Sequence, residues 1–292
     1  MHYKKITPYL FITPMISGLV LFRLGPIVAA FLLSFTRWNV RTAPTILGLG
    51  NYEELVASDT FWLVLKNTVV FAVLYVPGAM VLALLMALVV NQKLQGIAFF
   101  RGLYFMPYIT SMVAVAMVWN WIFSTRYGLL NNILRTFFGV ASPPAWLADK
   151  HYALLVLIVV TIWKTSPFQM MVFLAGLQGI PSHLYEAARI DGANRLQMFF
   201  RITLPLLSPV TFFVLVFSII EAFKTFQVTY AMTEGGPLHA STTLAYYIYQ
   251  NAFVWNRMGF ASSLAYVLMV LVGVVTLVNF GVRRRWVAQE VY

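Results

Sequence analysis

Six apolar runs, near residues 9–35, 67–90, 103–123, 153–177, 209–232 and 262–282, limit the folds open to this chain more than any motif does. Each is about the 20 residues a helix needs to cross a hydrocarbon layer of about 30 Å. In that layer no water can satisfy a peptide group, so a spanning segment must bond its backbone internally, as a helix does. The chain is 61% hydrophobic and 10% charged, with a mean hydropathy of +0.80. Soluble domains hold about 45–50% apolar and about 25% charged residues. The expectation is an all-α polytopic membrane protein with six transmembrane helices, forming a single transmembrane domain over residues 1–292.

The runs are interrupted where function would enter. Between the fourth and fifth lies a polar island from Pro181 to Pro205, with Pro209 just beyond. Ser182 is placed to cap a helix, and Leu184, Ala187 and Ala188 share one face of it. Asp191-Gly192 should end that helix, because glycine takes the left-handed conformation that closes a helix terminus. Asn194 with Gln197 three residues later predicts a capping box for a second helix. Leu196, Phe199, Phe200 and Ile202 give this second helix an apolar stripe, which Pro205 is expected to end.

Glu186-Ala187-Ala188, Asp191-Gly192-Ala193, then Phe199, Ile202, Leu204-Pro205 and Pro209 resemble the EAA loop of the membrane subunits of bacterial ATP-binding-cassette importers. The resemblance implies that Glu186, Ala187, Ala188, Asp191, Gly192 and Ala193 form the coupling helix that sits in a cleft of a separate ATPase subunit. It extends over most of the chain. Gly48-Leu-Gly-Asn-Tyr-Glu is similar to the family's first external loop. Thr233-Glu-Gly-Gly-Pro237, Thr243-Leu-Ala-Tyr-Tyr-Ile-Tyr249 and Met258-Gly-Phe-Ala-Ser262 look like the C-terminal part of carbohydrate permeases, in the maltose and glycerol-3-phosphate branch. Glu234 departs from the small or polar residue expected in that loop. The maltose system's extra N-terminal spans and large external domain have no counterpart, which implies a minimal six-span, type I importer permease.

Orientation follows from the basic residues. With the N-terminus inside, the inner segments hold ten lysines and arginines (Lys4, Lys5, Lys93, Arg101, Arg189, Arg195, Arg201, Arg283, Arg284, Arg285) and the longer outer segments hold seven. The positive-inside rule therefore puts the Glu186 loop and both termini in the cytoplasm. The first apolar run follows a basic start, as a secretory signal would, but it is too long for one, so an uncleaved span is expected. The net charge of +11 sits beside the spans and forms no basic-aromatic platform, which argues against nucleic acid as a partner.

Catalytic readings fare poorly. The histidines, His2, His151, His183 and His239, fall in loops or at span ends, and none forms a His-Glu-x-x-His pair. There is no phosphate-binding Gly-x-x-x-x-Gly-Lys-Ser/Thr loop, and with no cysteine there is no thiolate ligand or nucleophile. No catalytic or metal residue is expected. ATP and magnesium would be bound by a partner chain.

Polar residues inside apolar runs mark a candidate path, since an ionised side chain at a helix centre costs about 2.5–3.5 kcal/mol on insertion scales. Glu221, Lys224 and Thr225 should share a helix face in the fifth span, with Phe217 and Tyr230 within reach. Glu221 and Lys224 can form a structural ion pair or meet cargo, and the spacing does not choose. Lys164, near Pro167, interrupts the fourth span. Asn120, between Trp119 and Trp121, suits a sugar, but tryptophans near a span end also form ordinary interfacial belts.

Taken with the resemblance, these residues imply an inner-membrane permease of a binding-protein-dependent importer for a sugar or oligosaccharide, or for glycerol-3-phosphate or another polyol. Its implied partners are a second homologous permease, two ATP-binding-cassette ATPase subunits, an extracytoplasmic solute-binding protein and membrane lipid. The competing expectation is a stand-alone ion-coupled transporter using Glu221 and Lys224.

Overall fold

The computed structural model describes residues 7–92 and 95–286, so Lys4, Lys5, Lys93 and His2 lie outside the described residues. Among the described residues, four helices are long and apolar enough to span a membrane: α1 (Tyr9–Ser34), α3 (Asp59–Val90), α7 (Ala153–Gln178) and, within the last helix, Met258–Arg283. Two bent pairs raise the number to six if each pair is one span. These are α4 (Ile97–Ile109) with α5 (Met112–Ile122), bent by 93°, and α9 (Arg195–Leu206) with α10 (Ser208–Phe223), bent by 65°. Shorter helices are α2 (Gly50–Ala57), α6 (Leu129–Phe138), α8 (Ser182–Ile190), α11 (Gln227–Met232) and α12 (Leu244–Tyr249); α13 (Met258–Trp286) is the last.

Four boundaries differ from expectation, the second span's helix beginning earlier, at Asp59. The third span starts earlier, at Ile97, and is broken rather than straight. The fifth helix stops at Phe223 instead of reaching Met232, because Lys224 leaves the helical geometry and a separate α11 begins at Gln227. Pro205 does not end the second loop helix: it sits at the start of a new helical turn, where its missing N–H is harmless, and the bend falls at Leu207. Pro77 and Pro167 lie inside unbroken helices. Five-residue π turns occur at Val20–Leu24, Phe199–Thr203 and Gln250–Val254.

The chain divides into two compact units. One holds residues 1–61 with 247–270. There a two-stranded hairpin pairs Thr36 with Ile46. Buried Asn51, from the Gly48-Leu-Gly-Asn stretch, donates to the carbonyls of Ser34 (2.7 Å) and Thr36 (2.9 Å). Those carbonyls lie where α1 ends, so the amide supplies donors that the helix no longer can. Arg257 donates to both carboxylate oxygens of Glu54 at 2.5 and 2.6 Å.

The other unit holds residues 62–246 with 271–292. Its core is built on small residues. Ala79, Ala83 and Ala87 recur every four positions on α3 and are fully buried. Without a hydrophobic drive between helices in lipid, small side chains that let backbones approach are what hold spans together. Ala83, Ala87 and Val90 pack with Met170, Phe173, Leu174 and Leu177 of α7 and with Leu207 and Val214. The approach is close: a Cβ on Gly78 would stand 2.7 Å from Ile162 Cδ1, and the Ser166 hydroxyl reaches the Ala79 carbonyl at 3.4 Å.

This seam can be tested by overpacking. Ala83→Leu should destabilise the protein by about 1–3 kcal/mol, read as a lower unfolding midpoint in detergent, whereas Leu85→Ala at an exposed position should change it little. Equal midpoints for the two variants would refute the small-residue seam.

Candidate functional site

The second unit carries two arrangements built from the interrupting polar residues. The first is a cavity of about 340 Å³, at the small end of the range for ligand sites. Its wall is made by Tyr75 of α3, Met112 at the start of α5, Thr161, Lys164 and Thr165 of α7, Glu221 of α10, the non-helical Lys224-Thr225-Phe226, and Gln227 and Val228 of α11. Helix α10 stops here because the Lys224 amide makes its last bond, to the Ile220 carbonyl at 3.1 Å. The chain then turns, and Thr225 and Phe226 face the cavity instead of the next helical turn.

Three of the expected path residues, Glu221, Lys224 and Thr225, therefore meet in one cavity, though not on one helical face. Of the two roles the spacing left open, the ion pair does not form among the described residues: no salt bridge joins Glu221 to Lys224, because the helix ends between their side-chain positions. Asn120 and Tyr230 do not line the cavity. The Asn120 Oδ1 atom is buried without a hydrogen-bond partner. The Tyr230 ring stacks on Phe226 with centroids 5.5 Å apart, so it backs a lining residue. Phe217 packs against Phe168 at 5.0 Å. Trp119 is occupied by Phe123 and Trp163.

Residues that sequence reading passed over complete the wall. Tyr75 is fully buried and shares a 2.9 Å hydrogen bond with the Thr165 hydroxyl. One turn further on, Gln169 donates to Ser218 at 3.0 Å, tying α7 to α10 behind the cavity. The spacing of Thr161, Lys164 and Thr165 is a polar helical face at i, i+3, i+4, and that signal was available in the sequence. Tyr75, a single phenol in an apolar run, offered none.

Chemically, the cavity presents hydroxyls, an amide, aromatic rings, a carboxylate and the Lys224 ammonium in apolar surroundings. Such a set can hydrogen-bond a polyhydroxylated molecule in either donor or acceptor sense. It holds no metal site: no group of three His, Cys, Asp or Glu side chains occurs among the described residues.

The second arrangement is the loop from Pro181 to Leu207. Pro181, not Ser182, occupies the N-cap position of α8, and no side chain caps it. The C-terminus of α8 closes as the sequence implies. Gly192 has φ +80°, its amide reaches the Arg189 carbonyl at 3.0 Å, and the Ala193 amide reaches the Ala188 carbonyl at 2.9 Å. These two bonds define a Schellman closure, which satisfies carbonyls the helix leaves free. The capping box is present: Asn194 Oδ1 accepts from the Gln197 amide and Gln197 Oε1 from the Asn194 amide, each at 2.8 Å.

A bond not foreseen, between the Tyr185 and Thr203 hydroxyls at 2.9 Å, fastens α8 to the π turn of α9. At the base of the loop Leu207 is fully buried. A Cβ on Gly176 would stand 2.8 Å from its Cδ1 and 2.7 Å from Val210 Cγ2, so α7 and the start of α10 nearly touch there. The outward side exposes Glu186, Ala187, Asp191 and Gly192 together with Ile190, Leu196 and Phe200. A small-residue turn beside apolar side chains and the carboxylates of Glu186 and Asp191 is suited to enter a partner's groove.

Comparison with known proteins shows what the chain is similar to. The family described as binding-protein-dependent transport system inner membrane component matches residues 79–283. The probable ABC transporter permease protein YesP of Bacillus subtilis is 40% identical over 98% of this chain and 93% of its own length. The arabinooligosaccharides transport system permease protein AraP of the same organism is 34% identical, over 94% and 88%. Among solved structures, a bacterial alginate ABC transporter in complex with an alginate pentasaccharide-bound periplasmic protein superposes with a TM-score of 0.82. It is 24% identical and covers 97% of this chain and 96% of that one.

The Schellman closure gives a direct test. A β-branched residue held at φ +80° costs at least about 1–2 kcal/mol, so Gly192→Val should speed hydrogen exchange of the Ala193 amide by about tenfold. Ala193→Ser, at a position with ordinary geometry, should leave that amide protected. Similar exchange in both variants would rule out the tight turn.

Proposed function

The chain belongs to the binding-protein-dependent transport system inner membrane components, and from that membership we propose that it passes a sugar or oligosaccharide through the cavity beside Glu221 and Lys224. It is a multi-pass membrane permease and a non-catalytic subunit, the ATPase being a separate chain. Membership in this family replaces the stand-alone ion-coupled alternative. The observation that carries the cargo reading is the cavity itself: hydroxyls from Thr161, Thr165 and Thr225, the Gln227 amide and the Phe226 ring in one wall. Pyranose rings stack on aromatic faces through their C–H groups and present hydroxyls at the edge, which such a wall complements. The arabinooligosaccharide relative supports the same class. A phosphorylated polyol is the second reading, favoured by Lys224, whose ammonium no carboxylate pairs among the described residues.

Working partners in this reading are a second homologous permease completing the path, two ATP-binding-cassette ATPase subunits holding ATP and magnesium, and an extracytoplasmic binding protein that delivers cargo. Both termini and the Glu186 loop lie on the cytoplasmic side of a bacterial inner membrane. Closure of the ATPase pair pushes on the loop around Glu186 to Ala193. The Tyr185–Thr203 bond and buried Leu207 pass that push to α7 and α10, the helices that line the cavity.

Two experiments test the two ends. Glu221→Gln with Lys224→Met removes both charges at nearly constant size. The assembled importer should still hydrolyse ATP, while uptake of an arabinose oligosaccharide falls at least about tenfold, the equivalent of one lost charge-assisted hydrogen bond. Uptake at the unmodified rate would remove these residues from the path, and selective loss of glycerol-3-phosphate uptake would favour the polyol reading. At the other end, Glu186→Lys should leave membrane insertion intact and abolish cargo-stimulated ATP hydrolysis, because it reverses the charge presented to the partner's groove. A mutant that retained stimulated hydrolysis would contradict the coupling role.

A further inference from the structure

The 93° break between α4 and α5 leaves carbonyls that no helical amide can reach, since the last four carbonyls of any helix lack partners. Thr110 spends both its amide (3.2 Å) and its hydroxyl (2.8 Å) on the Met106 carbonyl. The carbonyls of Pro107, Tyr108 and Thr110 are satisfied from another helix. Lys164 Nζ, on α7, lies 3.2, 3.3 and 2.6 Å from them. An ammonium has three N–H donors and no acceptor, so these carbonyls engage all of it. The charge also stands at the negative end of the α4 dipole, where a cation is stabilised.

We infer that Lys164 is a positioning residue that holds the third span broken, rather than a group that binds cargo. Irregular backbone at membrane depth persists only where other groups satisfy it, and here one side chain does so. Lys164 and Met112, the first residue of α5, both line the cavity. By fixing where α4 stops, the ammonium fixes where α5 begins, and so places Met112 in the wall. Its importance for transport rests on the reading of the cavity as the path; its hold on the break does not.

The test uses the assembled importer without cargo, so that it stays separate from the identity of the substrate. The chain has no cysteine, which allows nitroxide labels on cysteines introduced at Phe99 and Trp121, both exposed. At a 1.5 Å rise per residue a straight helix would hold these positions about 33 Å apart, and two legs at a right angle about 23 Å. Spin-echo distances in the otherwise unmodified chain should cluster at the shorter value. Lys164→Met should broaden them toward the longer one, and Lys164→Arg, which keeps a cation and several donors, should restore the short distance. In a separate Met112→Cys chain, labelling by a water-soluble methanethiosulfonate should change several-fold with Lys164→Met and return with Lys164→Arg. A role in general stability would lower the unfolding midpoint and move neither reading. If Lys164→Met does not assemble, Lys164→Gln, which keeps N–H donors but no charge, is read on the same label pair and should broaden the distances less. An unchanged short distance in the Met or Gln variant overturns the inference, as does an Arg variant that resembles Met.

Discussion

Every place where this chain leaves regular helix inside its apolar regions must find donors for the carbonyls it frees, and the working parts of the molecule are arranged around those places. At Thr110–Ser111 the donors come from Lys164. At the end of α1 they come from Asn51. The cost of an unsatisfied peptide group in an apolar setting is several kcal/mol, more than a single packing contact contributes. A break is therefore tolerated only where a particular side chain has been provided, and such side chains carry little freedom to vary in type.

Helix α7 joins the two functional regions. Its middle gives Thr161, Lys164 and Thr165 to the cavity, and its end packs Phe173, Leu174 and Leu177 against Leu207 at the base of the exposed loop. Between Lys164 and Gln178 the helix is about 21 Å long and is uninterrupted despite Pro167. A rigid element of that length converts a small displacement at one end into a displacement at the other without loss in bending. The near-contact of Gly176 with Val210 means α10 cannot slide across α7 freely at that point, so the two move together or pivot there.

How much could be read from the residues alone depended on the range of the interaction involved. Helical membrane class, the six apolar runs, the left-handed Gly192 and the Asn194–Gln197 box are local or compositional, and the structure has them. The Ser182 cap failed because Pro181, with its fixed φ, already supplies the extended N-cap geometry. The shared helical face of Glu221, Lys224 and Thr225 failed because helical spacing was assumed across a residue where the helix ends. Tyr75, Gln169 and the Tyr185–Thr203 bond join segments far apart in sequence, and no periodicity announces them. The role of Lys164 was hidden for the same reason, since its partners lie 54 to 57 positions away.

The π turn at Phe199–Thr203 has a consequence for angular phase. A π turn is an α-helical turn carrying one additional residue, and each residue of an α-helix advances the direction of its side chain by about 100°. Removing one residue between Phe199 and Thr203 would restore a uniform helix and turn everything before it by that angle relative to α10. The exposed side of the loop, with Glu186 and Gly192, would then point elsewhere while every helix remained intact. The heading of the surface offered to a partner is thus set by a single inserted residue, and a length change of one there matters more than most substitutions.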